Sequence, residues 1–349
     1  MPIHQCPSTA ATAPRGRFDA LVEINRLICR EHYRLRLRVT GEFPPTLPGQ
    51  FIQLGCRAPD GVDEGGPLLG ADREWTPGQR CAVNQPELLA PLALLRRPFS
   101  LAGRGEDGDG TWLEIVHRVV GVGTDWLAHL QVGDAVDLIG PLGNSFTLPV
   151  DKSIGLLVGG GVGLPPMFYL AQAMRASGWR GVGFVGAMSR DLLAVTFDPA
   201  VAPNDGGTPI ACVTEFARHD YPAVVTTNDG SLGLKGLITR GLEACLCAQS
   251  RDDAARTVVY TCGPEPMMHA VAKLAAAHGV LCQVCLEQAM ACGMGTCQSC
   301  VVRIEDWQRP QAVTAPPESR PWRYRLACTD GPVFAAEQVV WSAGFVPGV

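Results

Sequence analysis

Near Asp151 the hydrophobic period of the chain changes, and this change constrains the fold more than any other feature of the 349 residues. Before it, apolar and polar residues alternate in FDALVEINRLICREHYRLRLRV (18–39), PGQFIQLGC (48–56), LLRRPFSLAG (94–103) and TWLEIVHRVV (111–120). That is the pattern of half-buried strands divided by turns, and it predicts a β-barrel over 18–150. After it, apolar runs alternate with helical segments: strand, Gly turn and helix over 153–178, then strands at 181–189, 208–215 and 256–263, and a helix at 264–279. A last strand, VLCQVCLEQ, spans 280–288. Alternating β and α over 151–284 predicts a parallel sheet with helices on its faces. From Glu287 onward loop residues and cysteines dominate, so 285–349 reads as a small module of its own. Residues 1–17 read as a loose tail, and 57–93, which lack periodicity, as an insertion loop.

Composition narrows the function classes. The formal net charge is −5 and no long Lys/Arg run occurs, which argues against nucleic acid as a partner. The most apolar stretch, 154–170, holds five Gly and two Pro and is shorter than the ~20 residues a membrane span needs. The first residues lack the apolar core of a secretory signal, so the expected location is cytoplasmic. No Ser/His/Asp triad or carboxylate pair suggests itself as a catalytic centre.

Six of the fourteen cysteines crowd into 282–328. Cys292-x4-Cys297-x2-Cys300, followed after 27 residues by Cys328, has the spacing of a plant-type [2Fe–2S] site. Four thiolates must wrap a two-iron rhomb, three of them from one tight loop, and Gly293 and Gly295 let amides turn toward the sulfurs. Zinc is the alternative, with Cys282-x2-Cys285 and Cys297-x2-Cys300 as two knuckles. Cys282 and Cys285, however, lie an odd number apart on a strand and face opposite ways.

Three further segments point to phosphates and a flavin. Arg97-Pro98-Phe99-Ser100 ends a strand, where Arg neutralises a phosphate, Ser bonds a flavin and Pro fixes the backbone beneath the ring. Gly121, Gly123 and Thr124 precede a helix, whose N-terminal amides favour an anion. Gly159, Gly160, Gly161 and Gly163 lie between a buried strand and a helix, a cradle for a dinucleotide pyrophosphate. Cys262-Gly263-Pro264 repeats the arrangement at a second strand end. Cys262 is either a core thiol or a lining residue of the nicotinamide site. Ser189-Arg190 either meets a 2′-phosphate or starts a helix, which leaves NAD and NADP both open.

In this order RPFS, GVGT, GPLGNSF, GGGVGLPP, CGPEPMM and the C-x4-C-x2-C loop resemble the ferredoxin–NADP reductase superfamily. Within it the chain is most similar to the electron-transfer subunits of class 1B dihydroorotate dehydrogenases, over about 18–335. The resemblance implies a flavin-binding β-barrel, an α/β parallel-sheet NAD domain and a C-terminal [2Fe–2S] module. It implies FAD held by Arg97, Pro98, Phe99 and Ser100, by Val116, His117 and Arg118, and by Gly123 and Thr124. NAD(H) would lie along Gly159, Gly160, Gly161, Gly163, Cys262, Gly263 and Pro264, and the cluster on Cys292, Cys297, Cys300 and Cys328. The implied activity is electron transfer between NAD(H) and a catalytic flavoprotein subunit, assembled as a heterotetramer, in pyrimidine biosynthesis. Reductases of hydrogenase, transhydrogenase or oxygenase systems share most of these motifs, and a non-catalytic redox or nucleotide sensor is the alternative of another class.

Overall fold

The computed structural model describes residues 15–56, 95–305 and 321–341. The proposed insertion at 57–93, most of the N-terminal tail and the stretch 306–320 lie outside the described residues.

The alternating segments form one seven-stranded antiparallel sheet. Its strands are β1 (Gly16–Cys29), β2 (His32–Val39), β3 (Phe51–Leu54), β4 (Arg97–Ser100), β5 (Gly103–Asp107), β6 (Gly110–Arg118) and β7 (Ala135–Leu142), in the order β4-β3-β7-β1-β2-β6-β5. Period two puts Ala20 and Val22 of β1 opposite Val39 and Leu37 of β2, on the side that buries them with Ile52, Leu54, Leu113, Ile115, Val136 and Leu138. Helix α1 (Val122–His129) adds Leu127 to this core. The sheet curls into a half-barrel. Phe99 on the edge strand β4 reaches His117 on β6, ring centroids 6.0 Å apart.

The segment after Asp151 builds the second sheet from β8 (Ile154–Gly160), β9 (Arg180–Ala187), β10 (Ala223–Thr227), β11 (Leu234–Lys235), β12 (Thr257–Cys262) and β13 (Leu281–Cys285). The order is β11-β10-β9-β8-β12-β13, all parallel. Helix α2 (Leu164–Ala176) packs on the face carrying Leu157, Val185, Val258 and Tyr260. Helices α3 (Ile238–Ala248) and α4 (Glu265–Ala277) cover the other, with Leu156, Val158, Phe184 and Val259. Burial on both faces explains why these strands read as unbroken apolar runs.

The C-terminal segment folds onto both sheets. Strands β14 (Val301–Glu305) and β15 (Trp322–Leu326) pair with each other, while β16 (Val333–Ala335) runs antiparallel along β13 and completes the nucleotide-type sheet. Asn144, just past β7, donates from Nδ2 to the carbonyls of Asp330 and Val333 at 3.0 and 2.8 Å, and its Oδ1 accepts from Val333 N at 2.8 Å. Across the first two units Arg34 of β2 is ion-paired with Glu215, both buried, and Glu215 also accepts from Thr196 N at 3.0 Å.

Candidate functional site

The three units meet around a cavity of about 910 Å³. That is at the upper end of small-molecule sites. Arg97, Pro98, Phe99, Ser100, Val116, His117, Arg118 and Thr124 wall it from the first sheet. Val162, Cys262 and Cys285 wall it from the second, and residues 286–291, Ser299 and Pro332 close it from the C-terminal segment. Residues separated by more than two hundred positions in sequence thus share one chamber.

The side chains of the RPFS strand are half-buried and differ from their neighbours in partnership. Arg96 is engaged by the buried Asp137, with Nη2 donating to Oδ2 at 2.6 Å. Arg97 donates from Nη1 to the carbonyl of Leu95 at 2.6 Å and forms no ion pair among the described residues. A guanidinium on a cavity wall with spare donors suits a phosphate. Arg118, by contrast, points both Nε and Nη2 at a single oxygen of Glu31, Oε2, at 2.9 and 2.8 Å. Its charge is already answered.

His117 is 1% exposed, and neither ring nitrogen has a hydrogen-bond partner among the described residues. Burial, and then the nearby His32, lower its pKa to about 4, so the ring is neutral at neutral pH. Tyr33 stacks on it with ring centroids 5.7 Å apart. A buried imidazole with two unanswered nitrogens is costly unless something in the cavity bonds it. With the free donors of Arg97, this is the observation that fits a polar, ring-bearing cofactor such as a flavin.

The glycines occupy the expected turn. Gly159 and Gly160 end β8, Gly161 to Gly163 form a single tight turn, and α2 starts at Leu164 with Pro165 and Pro166 in its first turn. A Cβ on Gly163 would stand 2.2 Å from the carbonyl oxygen of Cys262, so only glycine lets this turn approach the end of β12. The two strand ends, 159–163 and 262–264, are therefore adjacent. Thr124 caps α1: its hydroxyl accepts from Val120 N at 2.9 Å and donates to Gly121 O at 2.9 Å. Gly123 is buried in the first turn of that helix, where a Cβ would meet Arg97 and Cys56 at 3.3 Å.

The four cysteines of the spacing motif gather two and two. The register Val301↔Leu326 sets Cys300, just before β14, beside Ala327–Cys328, just after β15, and Ala327 N donates to Cys300 O at 2.9 Å. Both thiols are buried, and burial together with Cys300 pushes the Cys328 thiol up. Cys292 Sγ accepts from Met294 N at 3.5 Å and from Cys297 N at 3.4 Å. The Ser299 hydroxyl, 3.2 Å from Cys297 Sγ, and then Cys292 pull the Cys297 thiol down. Amides aimed at sulfur, and thiols paired rather than converged on a single point, fit a two-iron cluster, whose irons take two thiolates each. The zinc alternative loses its second knuckle. Cys285 lies in register with Cys262 and meets its thiol in the cavity wall, which with burial raises the Cys262 pKa. Cys282 faces away, toward Glu337.

Sequence reasoning did not single out Gln53, Asn144 or Tyr33, and it took Cys285 only as half of a zinc knuckle, not as a wall of the cavity. Asn144 lies inside the GPLGNSF motif, but nothing local marks its side chain as a clamp. Tyr33 had only strand periodicity to identify it.

The model of the iron–sulfur cluster binding domain of dihydroorotate dehydrogenase B matches residues 287–340. The electron transfer subunit of dihydroorotate dehydrogenase B (NAD(+)) from Geobacillus kaustophilus is 36% identical over 268 residues, 76% of this chain and 86% of that protein. The subunit of the same name from Caldanaerobacter subterraneus subsp. tengcongensis is 29% identical over 328 residues, 94% of this chain and 100% of that protein. Among solved structures, that of an NADH-dependent reduced ferredoxin–NADP oxidoreductase has a similar fold, with TM-score 0.63 at 23% identity, covering 96% of this chain and 92% of that one.

Proposed function

The chain belongs to the family of dihydroorotate dehydrogenase B electron-transfer subunits, and from that premise we propose that it carries electrons between a catalytic dihydroorotate dehydrogenase subunit and NAD. The observation that carries this reading is the shared cavity. It brings the RPFS strand, the neutral His117, the end of β12 and the edge of the cysteine loop to one place. FAD bound there would exchange a hydride with NAD(H), and the [2Fe–2S] cluster would exchange single electrons with it.

The residues of this chain have distinct tasks in that scheme. Arg97 answers a phosphate, while Ser100 and His117 bond the ring edge. Val116, Arg118 and Thr124 complete the flavin wall, with Gly123 set in the helix turn behind them. Gly159, Gly160, Gly161 and Gly163 bring bare backbone to the pyrophosphate of NAD, with Gly263 and Pro264 beside them. Cys262, with its raised pKa, stays a neutral thiol at the nicotinamide end and offers no competing nucleophile. Cys292, Cys297, Cys300 and Cys328 hold the iron. The division into units at 18–150, 151–284 and 285–349 follows the same scheme. Among the described residues no helix is long and apolar enough to cross a membrane; the proposed setting is the cytoplasm, in a heterotetramer with the catalytic flavoprotein subunit.

The test is direct. The purified chain should contain about two irons, acid-labile sulfide and one FAD, and NADH should bleach the flavin. A colourless protein, or one holding zinc without sulfide, overturns the reading.

A further inference from the structure

Strand β3 has two unlike faces. Ile52 and Leu54 point into the half-barrel core, while Phe51 and Gln53 alternate with them and point away from it. Phe51 belongs to the same buried cluster as Cys300 and Cys328 and also walls the cavity. Gln53 is 1% exposed, and its side-chain Nε2 is buried without a hydrogen-bond partner among the described residues. An amide donor in that position is costly unless something answers it.

What covers it is the cysteine loop. A Cβ on Gly293 would stand 2.6 Å from Gln53 Cδ and 2.8 Å from both Nε2 and Oε1, so the loop lies directly on the amide plane at the residue after Cys292. Gly293 has φ +68°, a second reason for glycine there. On its own strand side Gln53 is in register with Pro98, which walls the cavity. Gln53 thus stands between the proposed flavin site and the proposed cluster site, and it comes from the flavin sheet rather than from the loop.

We propose that Gln53 is a positioning residue for electron transfer, its buried side-chain N–H placed to donate to the sulfur side of the Cys292–Gly293 loop once the cluster is held there. This rests on the cluster reading given above. The loop's own amides, Met294 N and Cys297 N, already point at Cys292 Sγ. Gln53 adds one donor anchored in the neighbouring sheet, which ties the loop to the flavin wall. Reduction adds one electron and no proton, so negative charge on the sulfurs grows. A donor there favours the reduced state and raises its potential.

The experiment is an EPR-monitored redox titration of the full, cofactor-loaded chain, comparing wild type with Gln53→Met, which keeps the length and removes the donor. The expected result is a more negative cluster midpoint, a shift on the order of tenfold in the oxidised-to-reduced ratio, about 59 mV for one electron, with iron and FAD contents unchanged. An unchanged midpoint at full iron content overturns the proposal. If Q53M does not retain iron, Gln53→Asn carries the test, because it keeps the amide but withdraws it by one methylene. It should shift the midpoint the same way. If neither variant holds iron, Gln53 is a packing residue of the loop and the tuning role is wrong. Wild type without iron and sulfide is a different failure, that of the cluster reading itself.

Discussion

Arg96 and Arg97 are adjacent in sequence and differ in role. Burial pushes the Asp137 carboxyl up, and Arg96 and Arg17 more than offset it, holding it below its usual range. Asp137 therefore contributes stability that is present above its unfolded pKa of about 4 and is lost as pH falls through its lower folded value. Arg96→Ala should lower the melting temperature at neutral pH and flatten its dependence on pH below about 4. Melting curves across that range check this. Arg97→Ala should instead spare the fold and weaken FAD binding about ten- to a hundredfold, the loss of a charge-assisted hydrogen bond worth ~1.5–3 kcal/mol. Flavin titration of the apoprotein measures it. The sequence marked Arg97 because its tetrapeptide is local and self-contained. It was silent on Gln53, because that side chain matters through Gly293, which the chain reaches only after building a second sheet.

At the level of elements, close approach decides two outcomes. Gly163→Ala puts a methyl against the Cys262 carbonyl and should cost about 1–3 kcal/mol of stability, by the usual penalty for overpacking. Urea denaturation would show it, and NADH-dependent flavin reduction should slow as the turn is pushed from the strand end. Ala327→Pro removes the amide that bonds Cys300 O and disturbs the step that brings Cys328 beside it. Iron content should fall by more than half while flavin stays, as iron analysis and the visible spectrum would report. The switch from alternating to unbroken apolar runs was legible because each strand's burial is written in its own residues. The juxtaposition of Cys300 with Cys328 was legible only as a spacing. Its cause, the β14–β15 register, lies in a pairing that brackets 306–320, and no short window contains it.

For the molecule as a whole, Cys297→Ser separates two activities. Its hydroxyl is a poor ligand for iron, while the flavin and NAD walls are built mainly by other elements. Stopped-flow reduction of the flavin by NADH should persist within about twofold of wild type, and partner-dependent turnover should fall by more than tenfold. Equal rates in both assays would remove the cluster from the electron path. The three-unit plan was legible from periodicity and composition. The seams were not, since Asn144 and β16 cross them: the strand that completes the second sheet is supplied by the segment that carries the cysteines.

That borrowed strand ties iron supply to the lifetime of the protein. Val333–Ala335 begins five residues after Cys328 and caps the edge of β13. A chain made under iron starvation keeps the Asn144 bonds to Asp330 and Val333 but lacks the tie at Cys328, so the cap should open more often and bare an edge of unpaired amides and carbonyls that invites self-association and proteolysis. The cell's stock of the subunit should then follow its iron, because unfinished copies are cleared.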